Sequence, residues 1–578
     1  MTTQSNFVDH LQDRAYQNPN RTAFVFLQDG ETETECITFQ QLDNRARKLA
    51  SWLQQQAHPG ERVLLLCPSG IEYIVGFFAC LYAHLIAVPI FPPQRTRPHS
   101  RIQAIARDAQ ARFAFTTDEI LSSLEQLQLD SPEIEPLTWF SESSSAGVHP
   151  GDWREPAIKR DDLAFLQYTS GSTASPKGVM VSHANLIANL RMLRSMERSS
   201  PHSVYVSWLP LFHDMGLIGQ ILQPVFCNAM SVFTPPVAFI QKPARWLHLI
   251  SHYRGTISKS PNFGFDLCVI KTSTEEREGL DLSTWKIAGC GAEPVRANTI
   301  DRFVETYHPF GFCRQSFYPG YGLAEATLFV SANVEAVDPL VIQVEKAALE
   351  QGTVVVLDRG KYGHTLVGCG KPSDGQQVAI VDPDTRRKCA PDRIGEIWVS
   401  GAHITQGYWG NPMETERTFH AYIEGSEEGP FMRTGDLGFL YQGELFITGR
   451  IKDLIILQGA NHYPQDIENS VENCHPALRI GNCAAFSADI EDEERLIIVQ
   501  EVRREHQHNI DLEEIAHEIR WAIARDHGLR PHAILLIPSS RLPKTTSGKL
   551  QRNRCRAMFL QKKFDVLRVW QEGQHANN

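Results

Sequence analysis

The sequence predicts an α/β protein with more than one core, a large alternating part followed by a smaller α+β part. Three observations carry that reading. At 578 residues the chain is too long for one hydrophobic core. Short apolar runs alternate with amphipathic stretches, the pattern of parallel strands covered by helices. After about residue 375 the texture shifts to short strands between Gly, Asp and Pro turns, and beyond "GRIKDLIILQG" it becomes charged and helical.

Taken in order, "ITFQQLDNRARKLASWL" reads as an amphipathic helix. Thr38 caps it, Gln41 reaches back, and Leu42, Ala46, Leu49 and Leu53 recur at helical spacing. "RVLLLC" (Arg62 to Cys67) suits a buried parallel strand. The apolar run Ile71 to Ile90 could pass for a membrane span, but it contains Glu72, His84 and Pro89. A buried helix leading into a second strand explains it better. "SVYVSWL", "AMSVFT" and "GTISKS" continue the alternation. "QQVAIVD", "GEIWVSG" and "GELFITG" form a small β-rich subdomain. "DIENSVENC" and "DLEEIAHEIRWAIARDH" are helices, with "RLIIVQEV" as a strand between them. The expected division is 1–450 and 451–578, the second part near the common domain size.

Composition is that of an ordinary globular protein, 42% hydrophobic and 21% charged, with net charge -11. That charge gives the surface as a whole no attraction for nucleic acid or anionic membrane. The N-terminus lacks the apolar run of a secretory signal. The twelve cysteines form no C-x-x-C pair, so a reduced, cytoplasmic setting without zinc fits best.

"YTSGSTASPKG" (Tyr168 to Gly178) has the look of a phosphate loop. A Walker loop needs glycine before its lysine and a hydroxyl after it. Here Pro176 precedes Lys177 and Gly178 follows, so that type is excluded. Thr169, Ser170, Gly171, Ser172 and Thr173 can still wrap a polyphosphate, with Lys177 adding charge. Taken alone, a Ser/Gly linker explains the stretch equally well.

Seven further motifs occur in order: "WLPLFHDMG", "GCGAEPV", "YGLAEATL", "GEIWVSG", "FMRTGDLG", "GRIKDLI" and "PKTTSGKLQR". Together with the loop they resemble the adenylate-forming superfamily of acyl-CoA synthetases, luciferases and adenylation domains, over nearly the whole chain. The resemblance implies a large N-terminal domain of two α/β subdomains plus the β-rich one, and a small mobile α+β C-terminal domain. It implies attack of a carboxylate on the α-phosphate of ATP, with Mg²⁺ held by Glu325, a hard oxygen ligand. Gly291, Ala292, Glu293, Tyr321 and Gly322 would surround adenine, and Asp436 and Arg450 the ribose. Lys549 would reach the reacting groups from the C-terminal domain, which would swing about Asp453. His213, Asp214, Met215, Asn262 and Phe263 would border the acyl pocket, with His213 orienting the carboxylate. Bland readings of these side chains, such as a core histidine or a surface ion pair, would prevail for any one motif by itself.

Within the superfamily, "AVPIFPP", "SPNFGFDLC" and "GANHYPQDIE" look like fatty acyl-AMP ligases, and Ala324 stands where acyl-CoA synthetases usually carry Thr. Glu325 lies more than forty residues before "GCGKP". The excess, about 335–362, reads as strand, short helix, strand, a structured insertion. In those ligases such an insertion packs against the small domain and limits its use of coenzyme A. The implied acceptor is the phosphopantetheine of an acyl carrier protein. No carrier-type serine turn follows Lys549, so the carrier is expected to be a separate protein. Lys177 departs from the pattern of many such ligases. A long-chain acyl-CoA synthetase would share every adenylation residue. A non-catalytic scaffold on this fold would be expected to lack Glu325, Asp436 or Lys549, and all three are present.

Overall fold

The computed structural model describes residues 6–93, 99–124, 136–169, 176–334, 336–358, 360–457, 460–490, 493–507, 511–545 and 548–572. The helix Phe39–Gln56 begins with the anticipated reciprocal cap. Gln41 N–H donates to Thr38 Oγ1 at 3.2 Å, and Thr38 N–H donates to Gln41 Oε1 at 2.9 Å. Ile71–Tyr82 is a helix buried at every position except Glu72, followed by the strand Ile86–Pro89. A helix apolar on all sides belongs inside a core, which is why this run resembled a span. Among the described residues no helix is long and apolar enough to cross a membrane.

Two sheets organise the larger part. One has six strands: Arg62–Leu65 and Ile86–Pro89 at its centre, and the antiparallel pair Leu163–Thr169 and Lys177–Ser182 at one edge. That edge hairpin flanks the glycine and hydroxyl loop. The other sheet has nine strands. Val204–Ser207, Ile257–Ser260, Ile287–Cys290 and Phe317–Tyr321 run parallel through its middle. Their interiors are buried on both faces, as covered parallel strands require, and Ile257–Ser260 carries the buried polar Ser258 and Lys259 there. Gln376–Val381, Gly395–Gly401, Met432–Tyr441 and Glu444–Arg450 then form an antiparallel four-stranded sheet. Leu478–Ile490, Glu493–Val502, Ala533–Ile537 and Arg568–Gln571 form a fourth sheet. The helices Pro464–Cys474 and Leu512–His527 share its apolar cluster through Ile467, Val471, Ile515 and Ile519. This is the α/β class expected, with a larger first part and a smaller α+β part.

The insertion departs from the expectation in its second strand. Val341–Val344 is a strand and Lys346–Glu350 a helix, but "TVVVLD" makes no ladder and Val356 forms only an isolated bridge to Val344. The pairing edge is taken instead by His364–Val367, antiparallel to Val341–Val344. Ile342, Val344 and Leu349 of the insertion share an apolar cluster with Phe439, Phe446 and Tyr463. The insertion therefore bridges the β-rich sheet and the start of the C-terminal part. Lys346 Nζ donates to the carbonyl of Asp526, and Nζ lies 3.2 Å from His527 Nδ1.

Candidate active site

The carboxyl ends of the central parallel strands open into a cleft of about 2760 Å³, the usual place for a ligand in such sheets. The strand Ile287–Cys290 runs into Gly291, Ala292 and Glu293, and Phe317–Tyr321 runs into Gly322. A β-carbon on Gly322 would sit 1.7 Å from the Leu328 carbonyl, so only glycine fits there.

Sheet register builds the first polar cluster. Asp436 pairs with Arg450 across two antiparallel strands. Arg450 Nε donates to Asp436 Oδ1 at 2.9 Å, and the Tyr321 hydroxyl donates to Oδ2 at 2.7 Å. Asp436 is buried, and it holds the Arg450 guanidinium above its ordinary pKa. Each carboxylate oxygen keeps a second lone pair, so a diol can still bind.

Glu325 lies in the short turn Ala324–Ala326. Its Oε1 accepts from the Tyr408 hydroxyl at 2.9 Å, and its carbonyl accepts from Thr405 N–H and Oγ1, each at 3.0 Å. The Lys177 ammonium stands 4.9 Å from the Tyr408 ring centre and donates to Glu414 Oε1 at 2.7 Å. Tyr408 and Glu414 were missed from sequence. Neither belongs to a recognised motif, and Glu414 is 237 positions from Lys177. Thr169 closes the strand before the loop, and its carbonyl accepts from Arg101 at 3.2 Å. Ser170, Gly171, Ser172 and Thr173 lie outside the described residues. No cluster of three or more His, Cys, Asp or Glu suited to a metal occurs among the described residues. A lone Glu325 facing the cleft suits an ion such as Mg²⁺, which keeps few protein ligands and completes its shell with phosphates and water.

The third cluster joins the two parts of the chain. His213 caps the short helix Asp214–Leu217, and its Nδ1 lies 2.6 Å from Asp214 Oδ1. Burial opposes ionisation of Asp214. His213, Lys549 and the Met215 N–H outweigh it and hold the carboxyl at about 2. Lys549 comes from the C-terminal part and lines the same cleft as His213, Asp214, Asp436 and Glu325. Burial lowers its ammonium pKa; Asp214 opposes this, Arg450 adds to it, and Glu293 and Asp436 oppose it. The Lys549 backbone is pinned by its own turn, donating to Thr545 Oγ1 at 3.0 Å and accepting from Thr545 N–H at 2.7 Å. Gly548 beside it faces the ring of Phe263.

Asn262 is a correction. It is buried and does not line the cleft. Its amide donates to Glu293 Oε1 at 3.0 Å and the Pro294 carbonyl at 2.9 Å, and its oxygen accepts from Arg296 N–H at 3.0 Å. It braces the Gly291–Glu293 turn from behind and has no donor left for an acyl group. Asp453, the expected hinge, accepts from Arg552 Nη1 at 3.0 Å, while Arg552 grips Glu468 through Nε and Nη2, each at 2.7 Å. Arg552 ends the "PKTTSGKLQR" motif, so its identity was readable and its partners were not.

A parallel sheet serving a nucleotide-sized cleft, closed by a lysine from a second part, is the architecture of adenylate-forming enzymes. Sequence comparison agrees. The profile of the AMP-binding enzyme family matches residues 11–409, and that of the AMP domain of Disco-interacting protein 2-like proteins matches residues 452–569. The chain belongs to the AMP-binding enzyme family. It is 45% identical to the medium-chain-fatty-acid–[acyl-carrier-protein] ligase JamA of Moorena producens, over 97% of this chain and 96% of that one. The 4-hydroxyphenylalkanoate adenylyltransferase of Mycobacterium tuberculosis is 37% identical, over 98% and 93%. The fatty acyl-adenylate ligase from L. pneumophila, solved with acyl adenylate and pyrophosphate, matches with a TM-score of 0.76 at 39% identity, over 99% and 98%.

Proposed function

We propose that this protein activates a medium-chain fatty acid with ATP and passes the acyl group to the phosphopantetheine thiol of a separate acyl carrier protein. The observation that carries the reading is Lys549. A lysine from the C-terminal part stands in one cleft with Asp214, Asp436 and Glu325, charged groups from three different elements.

The cation and the acids divide the work. Lys549 draws the fatty carboxylate and the α-phosphate together, two anions that repel in water. His213 orients the carboxylate while Asp214 keeps the imidazole in place. Asp436 and Arg450 hold the ribose, and Tyr321 and the Gly291–Glu293 turn flank adenine. Lys177 and the loop from Thr169 to Thr173 hold the departing phosphates. A carboxylate oxygen bonds to the α-phosphorus as the bond to the pyrophosphate oxygen breaks. The thiol then attacks the acyl carbon and AMP leaves. Mg²⁺ bound at Glu325 would neutralise phosphate charge.

The acceptor separates this reading from an acyl-CoA synthetase. Insertion contacts at Lys346 and Leu349 restrain the C-terminal part, and that part must turn about Asp453 for a thiol to enter. The division at 450/451 follows from the same reading, and twelve unpaired cysteines suit a reduced cytoplasm. The test supplies ATP, Mg²⁺ and fatty acids with either a holo-carrier protein or CoA, and follows pyrophosphate and acyl products. Acyl-adenylate and acyl-carrier are expected. Abundant acyl-CoA would replace the acceptor, and no fatty-acid-dependent pyrophosphate would end the reading.

A further inference from the structure

The inner wall of the cleft holds an ion pair that no part of the adenylation chemistry uses. Lys259, inside the strand Ile257–Ser260, reaches Glu197, the residue capping the helix His183–Met196, at 2.5 Å. The two side chains are 9% and 1% exposed. Both residues line the cleft, among Leu193, Tyr318, Leu328 and Phe329. The second Glu197 oxygen accepts from Ser199 at 3.4 Å, and Ser199 in turn is held by the Tyr205 hydroxyl at 2.8 Å. The acid is therefore fixed from behind, and the lysine projects from the opposite side.

The position of the ammonium is defined by two glycines. A β-carbon on Gly289 would lie 2.6 Å from the Lys259 stem, and one on Gly219 would lie 3.3 Å from Nζ and 3.5 Å from Leu328. Gly289 precedes the Gly291–Glu293 turn in its own strand. Gly219 lies in the wide π-helical turn Ile218–Leu222 that continues the helix begun at His213. Leu328 follows Glu325 by three positions. The ammonium thus sits between the elements that carry the carboxylate-orienting, adenine and Glu325 groups, against a Glu197 that is almost wholly buried. It has three N–H donors, and among the described residues Glu197 is its one hydrogen-bonding or ion-pair partner.

We propose that the Lys259–Glu197 pair is the floor of the acyl pocket and sets the longest chain accepted. This rests on the fatty-acid reading above. A methyl end reaching the pair would strip water from unsatisfied N–H groups and press the two charges apart in apolar surroundings, where an ion pair survives only intact. A saturated chain must end before it. A pocket walled only by Leu, Tyr and Phe would impose no such stop.

The test measures kcat/KM for acyl-adenylate formation with saturated acids of increasing length. Wild type and a Lys259→Leu/Glu197→Gln double variant are compared, which removes both charges and shortens the floor. The variant should accept chains at least two carbons longer and gain about tenfold, relative to the best wild-type acid, at the first length wild type refuses. A Gly219→Ala variant should move the limit the other way, since its methyl enters the gap between Lys259 and Leu328. The added methyl meets only the flexible ends of Lys259 and Leu328, and alanine is favoured over glycine in a helix, so this second arm stands even where the double variant fails to fold. Length profiles unchanged in Gly219→Ala, or in a folded double variant, overturn the floor while leaving fatty-acid activation intact. A wild type that adenylates no fatty acid of any length removes both the activation reading and the floor.

Discussion

Lys549 illustrates how much of a site one side chain can carry. Its ammonium is desolvated and faces three carboxylates of the larger part, Asp214, Glu293 and Asp436, so in the proposed reaction its loss removes the positive centre on which two anions converge. Lys549→Ala is expected to lower pyrophosphate release by roughly a hundredfold to a thousandfold, the scale for losing one preorganised electrostatic group, with the melting transition kept. Tyr408 acts on the neighbouring carboxylate. Tyr408→Phe deprives Glu325 of its 2.9 Å donor, and the Mg²⁺ concentration for half-maximal rate should rise about tenfold, as for supporting groups around metal ligands. A larger drop in saturating rate than in Mg²⁺ response would show that Tyr408 does something else. Lys549 was readable because its motif is local. Tyr408 was not, because it meets Glu325 across 83 positions of chain, held there by Thr405 on the Glu325 carbonyl. Asn262 was misread for a related reason. Its motif borders the pocket, but the side chain points back to the Pro294 carbonyl.

At the scale of elements, capping and periodicity made the helices legible, and the parallel strands showed as short apolar runs. The insertion shows where that logic stops. "TVVVLD" has strand composition, yet one sheet edge was available and His364–Val367 took it. Propensity says which segments can be strands; pairing says which are. The insertion's grip on the C-terminal part is itself testable. Lys346→Ala together with Leu349→Ala removes the contacts to Asp526, His527 and the Tyr463 cluster. Acyl-CoA formation should rise several-fold relative to acyl-adenylate, read by mass spectrometry of the products. An unchanged ratio would mean that the insertion does not govern the acceptor.

At the scale of the whole molecule, the face between the two parts carries a titrating group. Glu472 lies in the helix Pro464–Cys474, lines the cleft, and is pushed from 4.5 up to about 7 by burial, against the pull of Gly481 and Cys483 N–H groups and Arg296. A carboxyl raised in the folded state binds its proton more tightly there than when unfolded. Its contribution is therefore full below pH 4.5 and is lost as pH rises through 7. Glu472→Gln should gain stability relative to wild type as pH goes from 5 to 8, by roughly 2–3 kcal/mol, seen as a widening difference in melting temperature. A difference that stays flat or narrows would show that Glu472 is ionised in the folded protein.

Arg552 links two places usually considered separately. It clamps Asp453 and Glu468, and it stands three positions after Lys549 on the same short stretch of chain. In the proposed rotation about Asp453, the pivot and the tip of the lever are thus fastened to one strap. Any rotation that tugs Lys549 out of the cleft loads the clamp on the pivot, and any slackening of that clamp frees the tip. The protein's timing between its two half-reactions would then be kept by a single guanidinium whose grip is on two carboxylates of the chain itself.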